Sequence, residues 1–432
     1  MDRALAQIDL ADAVDAAIEA RSEDAFGLVE RLVAERSVLG HEAGAQRVLA
    51  AALEPLGFTT EWLDVPAEIA ADPAAGIPHP DAGPDPRRVL VARLPGTGTG
   101  TSEGAGGRSL VINGHVDVVP EGEASQWTHG AFTPVRAGGW LIGRGSSDMK
   151  GGWGMALLAL RALRDAGWTP AADLTVVAVI EEECTGNGTL ASLRAGIVAD
   201  AAYLPEPTDL QVLLAGVGVL WLEIVVSGHA AHAEVASAGV SALDGAVAVV
   251  EALQRVGERL NEGVDGPPPY HVNVGRVEAG DWPSSVPATA RLGVRVGFPP
   301  DWSVAEAEER VRAALDEALA GDPRLAGRPL QIRPSGFRAE GYALAETCAL
   351  TSELAAAHEQ AHGAAPALTS TNGTTDARFY LNQGDMPALC FGPRSRNMHG
   401  VDEAVELASI VDGARTLARF LPRWLGGTGD RG

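Results

Sequence analysis

Cysteine is scarce: the 432 residues hold three, Cys184, Cys348 and Cys390, with no CxxC spacing. An odd number so placed argues against a disulfide framework and a thiolate zinc site, and it fits a reduced, cytoplasmic setting. Basic charge is scarce as well, with 33 Lys+Arg against 57 Asp+Glu and a formal net charge of −24. Such a surface repels phosphate backbones and anionic lipid, which sets nucleic acid and membranes aside as partners. No apolar run approaches the ~20 residues of a membrane span. The start of the chain, MDRALAQIDLADAVDAAIEA, lacks the basic flank and apolar core of a signal peptide. Met and aromatic residues are sparse, and Trp221 and Trp282 read as packing residues, not as a substrate cage.

What remains is an ordinary globular balance, 46% hydrophobic and 21% charged, at a length that implies two or three domains. Residues 13–33 read as helix, interrupted near 21–24, where Ser22 or Asp24 could cap a second helix. Residues 65–88 and 96–107 (GTGTGTSEGAGG) read as loops, and the GTGTG run lacks the GxGxxG spacing of a dinucleotide site. Short apolar runs at 89–94, 110–113, 174–180 and 201–204, with a helical pattern at 153–164, give α/β layering. After Thr208 the texture becomes strands at 219–227, 271–277 and 289–296, separated by helical patterns at 242–260 and 304–320. Beyond Arg338 come a helix (350–362), a Gly/Thr-rich loop, a strand (387–391) and a last helix ending near Phe420. The expected organisation is therefore a discontinuous α/β catalytic domain, residues 1–211 and 338–432, carrying an α+β insert at 212–337.

Several apolar runs end in acids or histidines. Ligands collect outside the carboxyl ends of strands in open α/β sheets, so residues just past such runs converge in space. Leu110-Val-Ile-Asn-Gly leads into His115-Val-Asp117; Ile142-Gly-Arg-Gly into Ser146-Ser-Asp148; Val176 to Ile180 into Glu181-Glu182-Glu183; Tyr203-Leu-Pro into Glu206. A fifth, Met398-His399-Gly-Val-Asp402-Glu403, follows the 387–391 strand. Imidazole with several carboxylates and no thiolate is a ligand set for zinc or a related divalent ion at a hydrolytic site. HxD in an extended segment puts His115 and Asp117 on one side, so that the carboxylate can orient the imidazole. A lone His-x-Asp is usually a surface pair and an acidic triplet usually a solvated run. Acids attached to strongly apolar strands, however, are costly without a cation.

The segments HVDVVP, GRGSSDMKGG, EEECTGNGT, EPT, GHAAHA, NGTTDARF and MHGVDE, in this order, resemble the dinuclear zinc metallopeptidase family of acetylornithine deacetylase, succinyl-diaminopimelate desuccinylase, aminoacylase and the glutamate carboxypeptidases. The resemblance implies a zinc-peptidase-like catalytic domain with an inserted dimerisation, or lid, domain. It implies two divalent ions per chain, Zn2+ with Co2+ or Mn2+ as substitutes. His115, Asp148 and Glu206 would surround one ion, and Asp148, Glu183 and His399 the other, with Asp148 bridging. Asp117 would brace His115, and Glu182 would be the general base. The family usually has Asp where Glu181 stands, which leaves open which glutamates of the run take the two roles. The resemblance also implies a homodimer in which His232, or the nearby His229, reaches the partner's site to stabilise the oxyanion. Asn273, Arg295 and Gly373 match substrate-contacting positions, with Arg295 a candidate carboxylate clamp.

The implied reaction is hydrolysis of the amide of a small N-acyl amino acid or related N-acyl amine. Formylated, carbamoylated or aromatic amines and small dipeptides are the alternatives within the family. A non-catalytic metal-binding protein would be expected to lack the base, and a peptidase of long chains would need an open cleft. Two decoys are present. His358-Glu-Gln-Ala-His362 satisfies HExxH, but Gly363 and Pro366 end that helix at once and no further zincin motif follows. Cys184 has no histidine in a context that would make it a nucleophile and reads as a partly buried thiol. His41, His79, His129 and His271 read as structural or exposed.

Overall fold

The computed structural model describes residues 2–80, 82–98, 107–325 and 327–429. The first element is a single helix, Asp2–Ala34, without the interruption expected near Arg21. Ser22 Oγ donates back to Glu19 O at 3.0 Å instead of capping a new helix, and Arg21 pairs with Asp24 at 3.2 Å and with Asp165 at 2.8 Å. The helix lays Leu28, Val29, Leu32 and Val33 into the core.

The larger sheet has nine strands among the described residues, in the order Thr59–Asp64, Arg88–Leu94, Leu174–Val179, Leu110–His115, Ala202–Leu204, Ala388–Cys390, Val212–Gly216, Tyr342–Ala343, with Leu368–Thr371 also paired to Val212–Gly216. Leu174–Val179, Leu110–His115, Ala202–Leu204 and Ala388–Cys390 run parallel, side by side. Every residue of these four is buried, which is why they read as continuous apolar runs and not as alternating ones. The helices Gly151–Asp165 and Leu407–Leu425 share the same core cluster. The edge strand Thr59–Asp64 (TTEWLD) is almost wholly exposed and carries no periodic signal. The 65–88 segment is tied down by Ile77 N to Gly336 O at 2.8 Å and Gly76 N to Asn187 Oδ1 at 3.0 Å. Most of the glycine-rich 96–107 stretch lies outside the described residues.

A four-stranded antiparallel sheet, Val272–Ala279, Thr289–Phe298, Gly218–Ser227, Gln331–Ala339, carries the helices Ala242–Leu260 and Val304–Ala318 and has its own hydrophobic cluster. The change of sheet falls later than the sequence texture suggests. Val212–Gly216 still pairs within the larger sheet, and the smaller one runs from Gly218 to Ala339. At the crossing, Val217, Val219, Phe337 and Ala339 form a separate small cluster with Trp221 beside it. Trp221 packs edge-on against Phe337, whereas Trp282 is 68% exposed and is not a packing residue. Among the described residues no helix is long and apolar enough to cross a membrane.

Candidate metal centre

His115 closes the buried strand Leu110–His115, and the neighbouring parallel strands Leu174–Val179 and Ala202–Leu204 end just before Glu182, Glu183 and Glu206. Adjacent carboxyl ends thus bring these side chains together. Asp148 comes from the turn Ser146–Lys150, entered through Gly145 at φ 78°, and its peptide bond to Met149 is cis. The start of the helix Gly151–Asp165 lies so close to the Glu206 segment that a Cβ on Gly152 would meet Pro205 O at 1.8 Å. Glycine is required there for close approach.

Asp148 is the centre of the arrangement. His115 Nε2 lies 3.0 Å from Asp148 Oδ1 and 3.9 Å from Glu206 Oε2. On the other side, His399 Nε2 lies 3.3 Å from Asp148 Oδ2 and 3.1 Å from Glu183 Oε2. Two groups, His115–Asp148–Glu206 and Asp148–Glu183–His399, therefore offer one ligand atom per residue within 4.8 Å of one another, and they share one carboxylate. His399 sits at φ 60° and Glu181 at φ 64°, left-handed conformations that non-glycine residues adopt only where the surroundings enforce them.

The carboxylates are crowded and desolvated. Burial pushes the Glu206 carboxyl up to about 8, with Asp148 adding to it and His115 opposing. Burial likewise pushes Glu182 well up, Asp376, Glu206 and Glu183 contributing. Desolvation works against ionised Asp148, but the imidazoles of His115 and His399 outweigh it and hold that carboxyl low. Glu183 in turn raises His399 to about 11. Glu206 Oε1 is buried with no hydrogen-bond partner. An orphaned carboxylate oxygen beside nitrogen and oxygen donors is the chemistry that a divalent cation satisfies, and the residues present fit such a group.

Asp117 does not brace His115 through its carboxylate. His115 Nδ1 donates to the Asp117 backbone carbonyl at 2.8 Å, while Asp117 Oδ1 lies 3.8 Å away. The carboxylate accepts instead from Glu182 N at 3.2 Å and Glu183 N at 3.0 Å, fixing the turn that carries both glutamates. Glu181 is held apart by Arg87 and by Thr185 Oγ1 at 2.9 Å. That separation distinguishes it from the two residues that follow.

None of His232, Asn273, Arg295 and Gly373 belongs to either ligand group among the described residues. Asn273 and Arg295 are cross-strand partners in the smaller sheet. Arg295 Nη2 donates to Asn372 O at 2.9 Å, which places these two beside Gly373. Burial draws the Arg295 guanidinium down. His232 is exposed and its Nδ1 accepts from Glu234 N at 3.1 Å. On the HExxH helix Ala349–His362, His358 Nδ1 meets Ala364 O at 2.8 Å and His362 Nε2 meets Asp412 O at 3.1 Å. Neither belongs to a metal-ligand group among the described residues. Cys184 is buried, and burial pushes its thiol well up.

Two buried acids had no role assigned from sequence. Glu403, fully buried, takes Arg144 Nη1 and a set of backbone N–H groups from the Asp148 turn. Asp376 accepts from Thr189 Oγ1 at 2.5 Å, and Thr189 Oγ1 in turn accepts from Asn113 Nδ2 at 2.8 Å. The signal available for Glu403 is an acid set immediately before the short buried strand that begins at Ala404.

Residues 111–423 match the model of peptidase family M20/M25/M40. The chain is 30% identical to a succinyl-diaminopimelate desuccinylase of Methylobacterium radiotolerans, over 94% of this chain and 97% of the relative. It is 27% identical to the N-formyl-4-amino-5-aminomethyl-2-methylpyrimidine deformylase of Bacillus subtilis, over 94% and 96%. Among solved structures, the di-peptidase Dug1p of Saccharomyces cerevisiae superposes with TM-score 0.76 at 14% identity, covering 96% of this chain and 98% of that one. Human carnosine dipeptidase 1 gives 0.75 at 14% identity, covering 95% and 98%.

Proposed function

Since the chain belongs to peptidase family M20/M25/M40 and is a metal-dependent hydrolase of amide bonds, we propose that it deacylates a small N-acyl amino acid or related N-acyl amine. The observation that carries the reading is the sharing of Asp148 between two ligand groups. His115, Asp148 and Glu206 would hold one divalent ion and Asp148, Glu183 and His399 the other, with zinc first and cobalt or manganese as substitutes, since carboxylate and imidazole accept all three. When bound, such ions polarise a carbonyl and lower the pKa of water.

Glu182 is the general base: its raised affinity for a proton suits it to take one from the attacking water and pass it to the leaving nitrogen. Asp117 fixes the backbone of Glu182 and Glu183, so the base and one ligand move as a unit. Arg295, beside the Asn372–Gly373 backbone, clamps the substrate carboxylate, with Asn273 as its cross-strand neighbour. The smaller sheet, with its flanking helices, acts as a dimerisation lid. Support for this is the exposed Leu243 and Val247 on helix Ala242–Leu260 and the largely exposed edge strand Val272–Ala279. His232, whose Nδ1 is engaged locally, presents Nε2 to the oxyanion of the partner's site.

The test is metal content of the purified protein together with release of amine from a panel of N-succinyl, N-acetyl, N-formyl and N-carbamoyl substrates, with and without added zinc or cobalt. Two ions per chain and chelator-sensitive cleavage of an N-acyl amino acid are expected. Turnover confined to dipeptides or to formylated amines would reject the substrate class. Metal retained in His115→Ala but lost in His358→Ala would reject the site.

A further inference from the structure

We propose that the cavity at the crossing between the two sheets is a second ligand site, for a small oxyanion, either a carboxylate or phosphate, held by Arg338. The cavity has a volume of about 290 Å³ and is lined by Arg338 and Glu340 from the return of the smaller sheet, Ser303 at the start of helix Val304–Ala318, and Arg378 and Asn382 from helix Ala377–Gln383. That size lies at the low end of small-molecule sites.

Arg338 is the reason to expect an anion. Among the described residues its guanidinium makes no hydrogen bond and no ion pair, and its Nε is buried without a partner. Several arginines of the same body hold no carboxylate, but among them only Arg338 has a buried side-chain N–H without a partner among the described residues. Arg259, Arg291, Arg312 and Arg324 each hold a carboxylate, as expected in a chain with so large an excess of acid. A buried, unpaired N–H on a permanently charged group is a donor awaiting an acceptor.

A second arginine, Arg378, lines the same space, with its guanidinium held at a fixed position. Arg378 is 3% exposed and donates to Thr375 O at 3.0 Å and Thr185 O at 3.2 Å. It stacks 4.2 Å over Phe379 and 5.3 Å over Phe337. Asp376 at 3.4 Å offsets part of its charge. The start of helix Val304–Ala318 adds partial positive charge, although its capping box with Ser303 and Glu306 already occupies donors there. Glu340, exposed and outside any ion pair among the described residues, opposes a polyanion and leaves a small anion of low charge as the fitting class.

The position gives such a ligand a consequence. Arg338 belongs to the smaller sheet, whereas Arg378 and Asn382 belong to the body built on the larger one, and Asn382 Nδ2 holds Gly341 O at 3.0 Å where the chain returns. An oxyanion between these groups ties the two bodies together at their crossing. Arg378 also holds the Thr185 carbonyl, in the turn that carries Glu182 and Glu183. Occupancy is therefore expected to act on KM through the relative placement of lid and metal centre.

The experiment is calorimetric titration of the metal-loaded protein with sodium phosphate and, separately, with sodium acetate, at constant ionic strength set by chloride. Wild type, Arg338→Gln, Arg338→Lys and His115→Ala are compared. Saturable binding at one site is expected, weakened about tenfold or more in Arg338→Gln, as for loss of a charge-assisted pair, and less in Arg338→Lys. Metal content and anion-free turnover should be unchanged in Arg338→Gln. Whichever of the two anions saturates names the source. Equal affinity in wild type and Arg338→Gln, or no saturable binding of either anion, overturns the proposal. Binding lost only in His115→Ala assigns the anion to the metal centre and overturns it as well. The readout is binding, so it stands or falls separately from the substrate reading.

Discussion

The carboxylate of Glu403 accepts the backbone N–H of Asp148 at 3.0 Å, and in addition Gly145 N at 2.9 Å, Ser147 N at 3.1 Å, Ser147 Oγ at 2.9 Å and Arg144 Nη1 at 2.6 Å. Arg144 Nη2 reaches on to the His399 carbonyl at 3.3 Å. One buried acid therefore locks the turn that presents Asp148 to the loop that presents His399. It makes a single unit of two ligands far apart in sequence.

Glu403→Gln places an NH2 group against donors and leaves Arg144 without its carboxylate. We expect divalent-ion affinity to fall by roughly 10- to 100-fold, the usual scale for groups that orient ligands. Stability should fall by about 3 kcal/mol, as when one partner of a buried pair is removed. Metal affinity is read by competition with a chromophoric chelator. Arg144→Lys, which leaves Glu403 its backbone donors, serves as the milder companion. Wild-type metal affinity in both variants would show that Glu403 supports the fold alone.

In the sequence, apolar strands of the larger sheet lead into His115, Glu183 and Glu206, and parallel neighbours gather their ends. The grouping of these with Asp148 and His399, which follow short strands of another sheet, comes from the family resemblance. Asp117 shows the limit. Alternation along an extended segment puts its carboxylate on the side of His115, yet the side chain turns to the N–H groups of Glu182 and Glu183, sixty-five and sixty-six residues away. Backbone donors left over by a turn have no sequence signature, and neither does the Glu403 cradle. The helix break expected near Arg21 is absent: residues 21–24 stay within the first helix, with Arg21 paired to Asp165 on a neighbouring helix. The exposed strand Thr59–Asp64 was missed because an edge with no buried face has no alternation to read.

Glu182→Gln separates proton transfer from metal binding. The amide keeps the size of the side chain and its backbone contacts with Asp117, but it cannot take a proton. Turnover is expected to drop by roughly 10² to 10⁴, the range for general acid–base catalysis, with two ions still bound by elemental analysis. A variant that kept wild-type turnover would move the base to another residue of the Glu181–Glu183 run. Glu181, held by Arg87 and Thr185, would be the first to examine.

Arg295→Lys keeps the charge and loses the planar fork, and Arg295→Leu loses both. If Arg295 clamps a substrate carboxylate, KM should rise in both variants, more in the leucine variant, by about one to two orders of magnitude for a charge-assisted bidentate contact. The hydrogen bond to Asn372 O complicates this, because its loss could displace the Gly373 loop. A substrate analogue lacking the carboxylate resolves the point: its KM should be the same in wild type and variants. An equal rise for both substrates would mean that Arg295 only holds the loop.

Glu42 gives a pH signature that does not require substrate. Its carboxyl is 3% exposed, accepts Gly40 N at 2.9 Å, and is pushed up to about 8 from 4.5 by burial and then by the charge of Asp117. Between pH 4.5 and 8 the native state keeps a proton that the unfolded chain has released. Native protein thus binds more protons, and the slope of unfolding free energy against pH is negative for this group. Its stabilising contribution is complete below pH 4.5 and is lost as pH rises through 8. Glutamine keeps the acceptor for Gly40 and removes the titration. Glu42→Gln should therefore be more stable than wild type above pH 8, by on the order of a few kcal/mol, and the gap should close toward pH 4.5. Denaturant unfolding of metal-free wild type and variant at pH 5, 7 and 9 measures that difference. A constant gap across the three would mean that Glu42 is ionised in the folded protein throughout.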